Sequence, residues 1–136
     1  MKCTTLRYLI VTLAGGPLLF ATSDVKAHQW TLRDFDGVLS VGLEGHRDFA
    51  NGAKRYDTSC GSCHALGSHG HGNAADLTKR ALLYTPEELL AHVLNPAFHP
   101  RESVSQLDAF AQHDVLDMLA FVLSAADAHS SFFYHP

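Results

Sequence analysis

Basic residues are scarce: ten Lys and Arg stand against fourteen Asp and Glu, a net charge of −4 with histidines neutral. Such a chain has little to offer nucleic acid or an anionic membrane and suits a partner with a basic docking face. Long apolar runs are scarce as well. The longest, Leu9 to Ala21, is broken by Gly15, Gly16 and Pro17 and is too short for a comfortable membrane span. Cysteine is limited to Cys3, Cys60 and Cys63, and methionine to Met1 and Met118. There is no internal repeat and no low-complexity segment. No Ser/His/Asp or paired-carboxylate arrangement points to a hydrolytic enzyme.

The first residues are read as an export signal. Lys2 and Arg7 give a positive start, the short apolar run follows, and Val25-Lys26-Ala27 offers small residues for signal-peptidase cleavage. Cleavage after residue 27 leaves about 109 residues, one small domain with a modest core. Cys3 leaves with the signal. So do Lys2, Arg7, Lys26 and Asp24, which leaves seven basic and thirteen acidic residues and a charge of −6.

Both remaining cysteines belong to Cys60-Gly61-Ser62-Cys63-His64, the C-x-x-C-H pattern of covalent haem attachment. Two thiols three positions apart can form thioethers with the two vinyl groups of one haem. The adjacent imidazole then sits under the iron as the proximal ligand. Three other chemistries fit part of the pattern. A redox dithiol wants a βαβ setting that is not evident here. A structural zinc site wants a second ligand pair, which His69 and His71 could supply. A plain disulfide between Cys60 and Cys63 ignores His64. Haem attachment uses every residue of the motif, and the export signal leads to the periplasm, where that attachment happens.

Along the mature chain, Trp30 to Leu43 carries β-formers on both sides of Asp36-Gly37, a favoured two-residue hairpin turn, and predicts a small N-terminal β-hairpin. From about Glu44 to Cys60 the period becomes helical, with Phe49, Gly52, Ala53 and Tyr56 on one face. Gly61 to Asn73 holds four glycines and reads as loop. Thr85-Pro86-Glu87-Glu88 is a capping box that starts a helix running to about Leu94, before Asn95-Pro96. An irregular stretch reaches about Leu107. A last helix, roughly Gln112 to Ala126, buries Val115, Met118, Leu119 and Val122. The aromatic tail 127–136 ends with Phe132-Phe133-Tyr134. The expected fold is all-α, three to four helices round one haem.

From about Gly45 to Ser124 the chain resembles the small class I c-type cytochromes. In that family a glycine and an aromatic of the first helix pack across the last helix, and Gly52 and Tyr56 match those positions. Met118-Leu119-Ala120-Phe121-Val122 matches the last-helix segment, and Leu77-Thr78, Tyr84 to Leu89 and Leu94-Asn95-Pro96 resemble the middle piece. The resemblance implies a cytochrome c-like domain over 44–126, one haem c held by Cys60, Cys63 and His64, and electron transfer rather than catalysis.

Two departures follow from the resemblance. The family's distal methionine is missing: Ala97 to Ala111 contains none, and Met118 falls at the helix-packing position. Ala75 stands near where the family often has a proline whose carbonyl orients the proximal histidine. His99 is the nearest good ligand to the empty slot and is the candidate distal ligand, which would lower the potential relative to His/Met ligation. His113 is expected at the surface, and His69 and His71 solvated on the proximal loop. His92 shares a helix with Leu89 and Val93, and an open sixth position is the remaining option.

These features suggest a periplasmic single-electron carrier, alone or as a haem subunit of a larger redox assembly. The missing methionine favours an alternative, a CO- or NO-binding haem protein. The Trp30–Leu43 segment and the Phe132–Tyr134 tail offer aromatics for a homo- or heterodimer, or for packing on their own domain.

Overall fold

The computed structural model describes residues 9–13, 16–20, 28–44, 46–99 and 101–134. Leu9–Leu13 (β1) and Gly16–Phe20 (β2) pair antiparallel within the segment read as an export signal. The rest of that segment, with Cys3 and the expected cleavage site, lies outside the described residues. From residue 28 onward the described chain is helical: Leu39–Gly42 (α1), Phe49–Ser59 (α2), Leu77–Arg80 (α3), Pro86–Leu94 (α4), Arg101–Leu107 (α5) and Gln112–Leu123 (α6). No helix among the described residues is long and apolar enough to cross a membrane.

The hairpin expected over Trp30–Leu43 does not form. A 3-10 turn over Leu32–Phe35 leads instead into α1. The Asp36-Gly37 turn itself is real, and the Val38 amide donates to the Phe35 carbonyl at 3.1 Å. Its dihedrals explain the difference. Asp36 at φ −57°, ψ 125° followed by Gly37 at φ 74° is a type II turn, whose twist splays strands apart. Thr31 caps the 3-10 turn, its amide and its hydroxyl both donating to Asp34 Oδ2 at 2.7 Å. Phe35, Leu39 and Leu43, four apart, are the residues buried. That is a helical period, and it outweighs the β-formers between them.

The frame is the crossing of α2 and α6, the most extensive helix contact in the domain. Asp48 caps α2 by accepting from the Asn51 amide at 2.9 Å. Gly52, Ala53 and Tyr56 then face the partner helix, as their spacing predicts. A Cβ on Gly52 would collide with the Asp117 backbone and come within 2.9 Å of Phe121 Cβ, so only glycine lets the helices approach this closely. α6 is buried from Asp114 to Ser124. Two of those residues are carboxylates. Asn51 Nδ2 donates to Asp114 at 2.9 Å and to Asp117 at 2.8 Å, Arg55 pairs with Asp114 at 3.0 Å, and Arg47 lies 3.4 Å from Asp117. Burial raises the cost of ionising Asp114. Hydrogen bonds from Asn51, the Ala111 amide and Arg55 outweigh it and hold the carboxyl below its ordinary value.

α6 is shorter than expected, ending at Leu123. Ala125 and Ala126 follow at φ 52° and 63°, and the Ala126 amide returns to the Phe121 carbonyl at 3.0 Å. α5 falls in the stretch expected to be irregular. Its Ser-Val-Ser sequence is a weak helix former, which is why the pattern did not announce it. The tail folds back onto the frame. Phe133 is 3% exposed and meets Phe49 edge-on at 5.1 Å, while Tyr134 remains 69% exposed.

Gly52→Ala should cost roughly 1–3 kcal/mol, read as an earlier midpoint in denaturant unfolding of the haem-loaded protein. The stability supplied by ionised Asp114 is complete above its unfolded value near 3.8 and is lost as pH falls through its lower folded value. Asp114→Asn should therefore lose about 1–3 kcal/mol at neutral pH and unfold with a shallower acid dependence.

Candidate functional site

The C-x-x-C-H motif begins where α2 ends. The amides of Cys60 and Gly61 both donate to the Tyr56 carbonyl, at 2.8 and 2.9 Å, and the His64 amide closes the next turn on Cys60 at 2.8 Å. Tyr56, wholly buried at the helix crossing, donates its hydroxyl to the His64 carbonyl at 2.9 Å. Helix packing is thereby transmitted to the motif through one side chain. Burial pushes that phenol well above its ordinary value, so it stays a donor.

The glycine-rich loop then folds back over the motif. His71 and Ala74 donate to the Gly61 and Cys63 carbonyls at 3.0 and 2.9 Å. Gly70, at φ 69°, passes so close to the His64 carbonyl that a Cβ would collide with it. The loop delivers Ala75, whose carbonyl lies 2.8 Å from His64 Nδ1. A carbonyl only accepts, so Nδ1 carries the proton and Nε2 keeps its lone pair. Alanine's own carbonyl thus meets the histidine where the family often uses a proline.

Cys60 and Cys63 are not bridged; Cys60 is half-buried and Cys63 exposed. Burial, helped by the neighbouring Cys63, pushes the Cys60 thiol up to about 12. Cys60 and His64 line two adjoining clefts that enclose about 720 and 690 Å³ of non-protein space, part of it open to solvent. One wall is apolar side chains of α6, including Met118 and Leu119. The opposite wall comes from α4 and the segment after it, with Val93 and His99 shared by both clefts. Met118 is 1% exposed and belongs to the core, as expected.

His99 faces the motif across this space. Its ring centre is 6.2 Å from that of His64, and its Nδ1 is buried without a hydrogen-bond partner among the described residues. Burial first, then the nearby His92 and His64, keeps His99 below its ordinary value and hence neutral. His92 lines the first cleft, stacks on Phe98 at 4.6 Å and meets His99 edge-on at 5.2 Å. His113 is a surface residue, its side chain 68% exposed. His71 is exposed, but His69 is not fully solvated. It pairs with Asp57 at 3.2 Å and sets its ring edge-on to Phe121 at 4.9 Å, a contact with the last helix that loop composition does not signal. No group of three or more His, Cys, Asp or Glu among the described residues is arranged to hold a metal ion by itself. Arg80, which also lines the first cleft, carried no distinguishing pattern in the sequence, and Tyr84 beside it was marked only as part of the segment that resembles the family.

Crossed helices that aim a thiol–thiol–imidazole motif into an apolar cleft define a haem protein of c type. Cytochrome c6 of Nostoc sp. (strain PCC 7120) is 34% identical over 90 residues, which cover 60% of this chain and 74% of that protein. No family model and no solved structure matches the chain. The chain belongs to the class I monohaem c-type cytochromes. Its cofactor is therefore one covalently bound haem c, and it is an electron carrier, not an enzyme.

Tyr56→Phe should lower stability by about 0.5–1.5 kcal/mol while leaving haem content unchanged. Denaturant unfolding and a pyridine haemochrome assay measure the two quantities.

Proposed function

We propose that the chain is an exported, periplasmic carrier of single electrons, working as a subunit or partner of a larger redox assembly. Cys60 and Cys63 anchor the haem as thioethers, His64 is the proximal ligand and His99 the distal one. The observation that carries the ligand assignment is the 6.2 Å between the His64 and His99 ring centres. Imidazole nitrogens bind transition metals at about 2 Å, and a ring centre lies roughly 1 Å behind its nitrogen, so two rings across one ion stand roughly 6 Å apart.

The haem supplies a reversible one-electron change at its iron; the chain does the rest by positioning. Ala75 fixes the tautomer of His64, and Tyr56 ties the motif to the frame. The cleft walls are largely apolar, and bis-histidine ligation would set a lower potential than His/Met. The mature charge of −6 favours a partner with a basic docking face. For a dimer the tail has little to offer beyond Tyr134, because Phe133 is spent on Phe49; Leu32, Val38 and Val41 are the exposed large apolar groups on the N-terminal segment.

An absorption spectrum of the purified haem protein, with and without CO, tests the reading. The expected result is a sharp low-spin reduced spectrum indifferent to CO, converted by His99→Ala to a form that binds CO within the mixing time. A wild-type spectrum that shifts promptly with CO would instead favour the gas-binding alternative. A His99→Ala spectrum identical to wild type would remove His99 as the ligand.

A further inference from the structure

We propose that the segment 28–43 is a strap that fixes the distal ligand, with Trp30 as its main positioning residue. The inference rests on His99 being that ligand. His99 sits between two helices, α4 before it and α5 after it. α5 packs on α2, and the strap touches both α4 and the end of α5. Its buried side packs against α4, where Phe35 and Leu39 border one pocket with Glu87 and Leu90. Its first residues reach the far end of the segment: the Trp30 indole N–H donates to the Leu107 carbonyl, the last of α5, at 3.0 Å. Leu107 is 2% exposed and lines the same cleft as His99.

A second tie lies just beyond. Gln112 Nε2, at the start of α6, donates to the Asp34 carbonyl at 2.6 Å. Trp30 is itself held in place, its ring 5.2 Å from Phe35, which is 2% exposed. One continuous piece of chain therefore clasps the helix entering the ligand segment and the helix leaving it. Detaching His99 requires the segment to move outward, and the strap opposes that movement at both ends. The Leu107 carbonyl also accepts from the Phe110 amide at 2.9 Å, so losing the indole does not leave it bare. The effect of Trp30 should be on the mobility of the segment and not on whether the domain folds.

The test uses the full-length, haem-loaded, reduced protein mixed rapidly with CO. At saturating CO the rate is limited by detachment of the sixth ligand. Trp30→Phe keeps an aromatic ring and removes only the N–H. It should raise the limiting rate roughly three- to tenfold, the worth of one neutral hydrogen bond. Amide exchange across 101–110 should quicken while α2 and the middle of α6 are unchanged. Gln112→Met should act in the same direction. Gly52→Ala serves as the control for general loosening, because it acts at the α2–α6 crossing and removes no bond made by the strap.

If Trp30→Phe and Gln112→Met leave both the CO rate and the exchange at wild-type values, the strap is merely a covering and the proposal falls. It also falls if Gly52→Ala speeds CO binding as much as Trp30→Phe, since the effect would then be general loosening. His99→Ala reads the underlying assignment separately. A wild-type spectrum in that variant defeats the ligand assignment, and the strap with it, whereas an altered spectrum beside a silent Trp30→Phe defeats the strap alone.

Discussion

The contact on which the molecule depends is the approach of α2 and α6 at Gly52. A single absent side chain lets one helix rest against the backbone of the other, and that closeness sets the height of Tyr56 above α6. Tyr56 converts the crossing into a fixed position for the His64 carbonyl, and the loop beyond returns to hold the ring of the same histidine through Ala75. The motif is therefore gripped from two sides by groups that owe their places to one helix crossing. Around it, Asp114 and Asp117 would be a burden in so apolar a helix, were they not satisfied by Asn51 and Arg55 of the facing helix and by Arg47 just before it. The polar bonds fix the register of the two helices, and the glycine fixes their separation.

Much of this was legible beforehand, for a physical reason. The haem motif is contiguous, so its chemistry can be read without knowing the fold. The α2 face and the capping box of α4 are local patterns, and local patterns survive into the structure when packing agrees with them: Thr85 and Glu88 exchange their bonds as the sequence implies. The Ala75 carbonyl could be anticipated only as a possibility, since a backbone acceptor leaves no mark in composition.

What was not legible depends on tertiary context. Asp36-Gly37 predicts a turn and a turn is there, but the twist that decides between strands and helices lies in dihedrals that both outcomes share in sequence. Phe35, Leu39 and Leu43 carried the helical period, and the β-formers among them hid it. That the carboxylates of α6 are buried depends on Asn51 and Arg55, some sixty residues away. The same holds for His69, whose neighbour is Phe121 and not water. Separations of this size are beyond any periodicity argument, and propensity is a weak guide where packing decides.

The division between a rigid frame and a suspended segment bears on how such proteins diversify. Asn51 and Asp117 meet across 66 positions, so the chain between α2 and α6 is a long excursion closed by a crossing it does not itself build. Lengthening a closed loop costs little, since the entropy of closure grows only with the logarithm of its length. Residues of 95–107 can therefore be exchanged with small effect on the frame built by α2 and α6. The far wall of the cleft is free to drift, while the near side, tied into the helix crossing, is not.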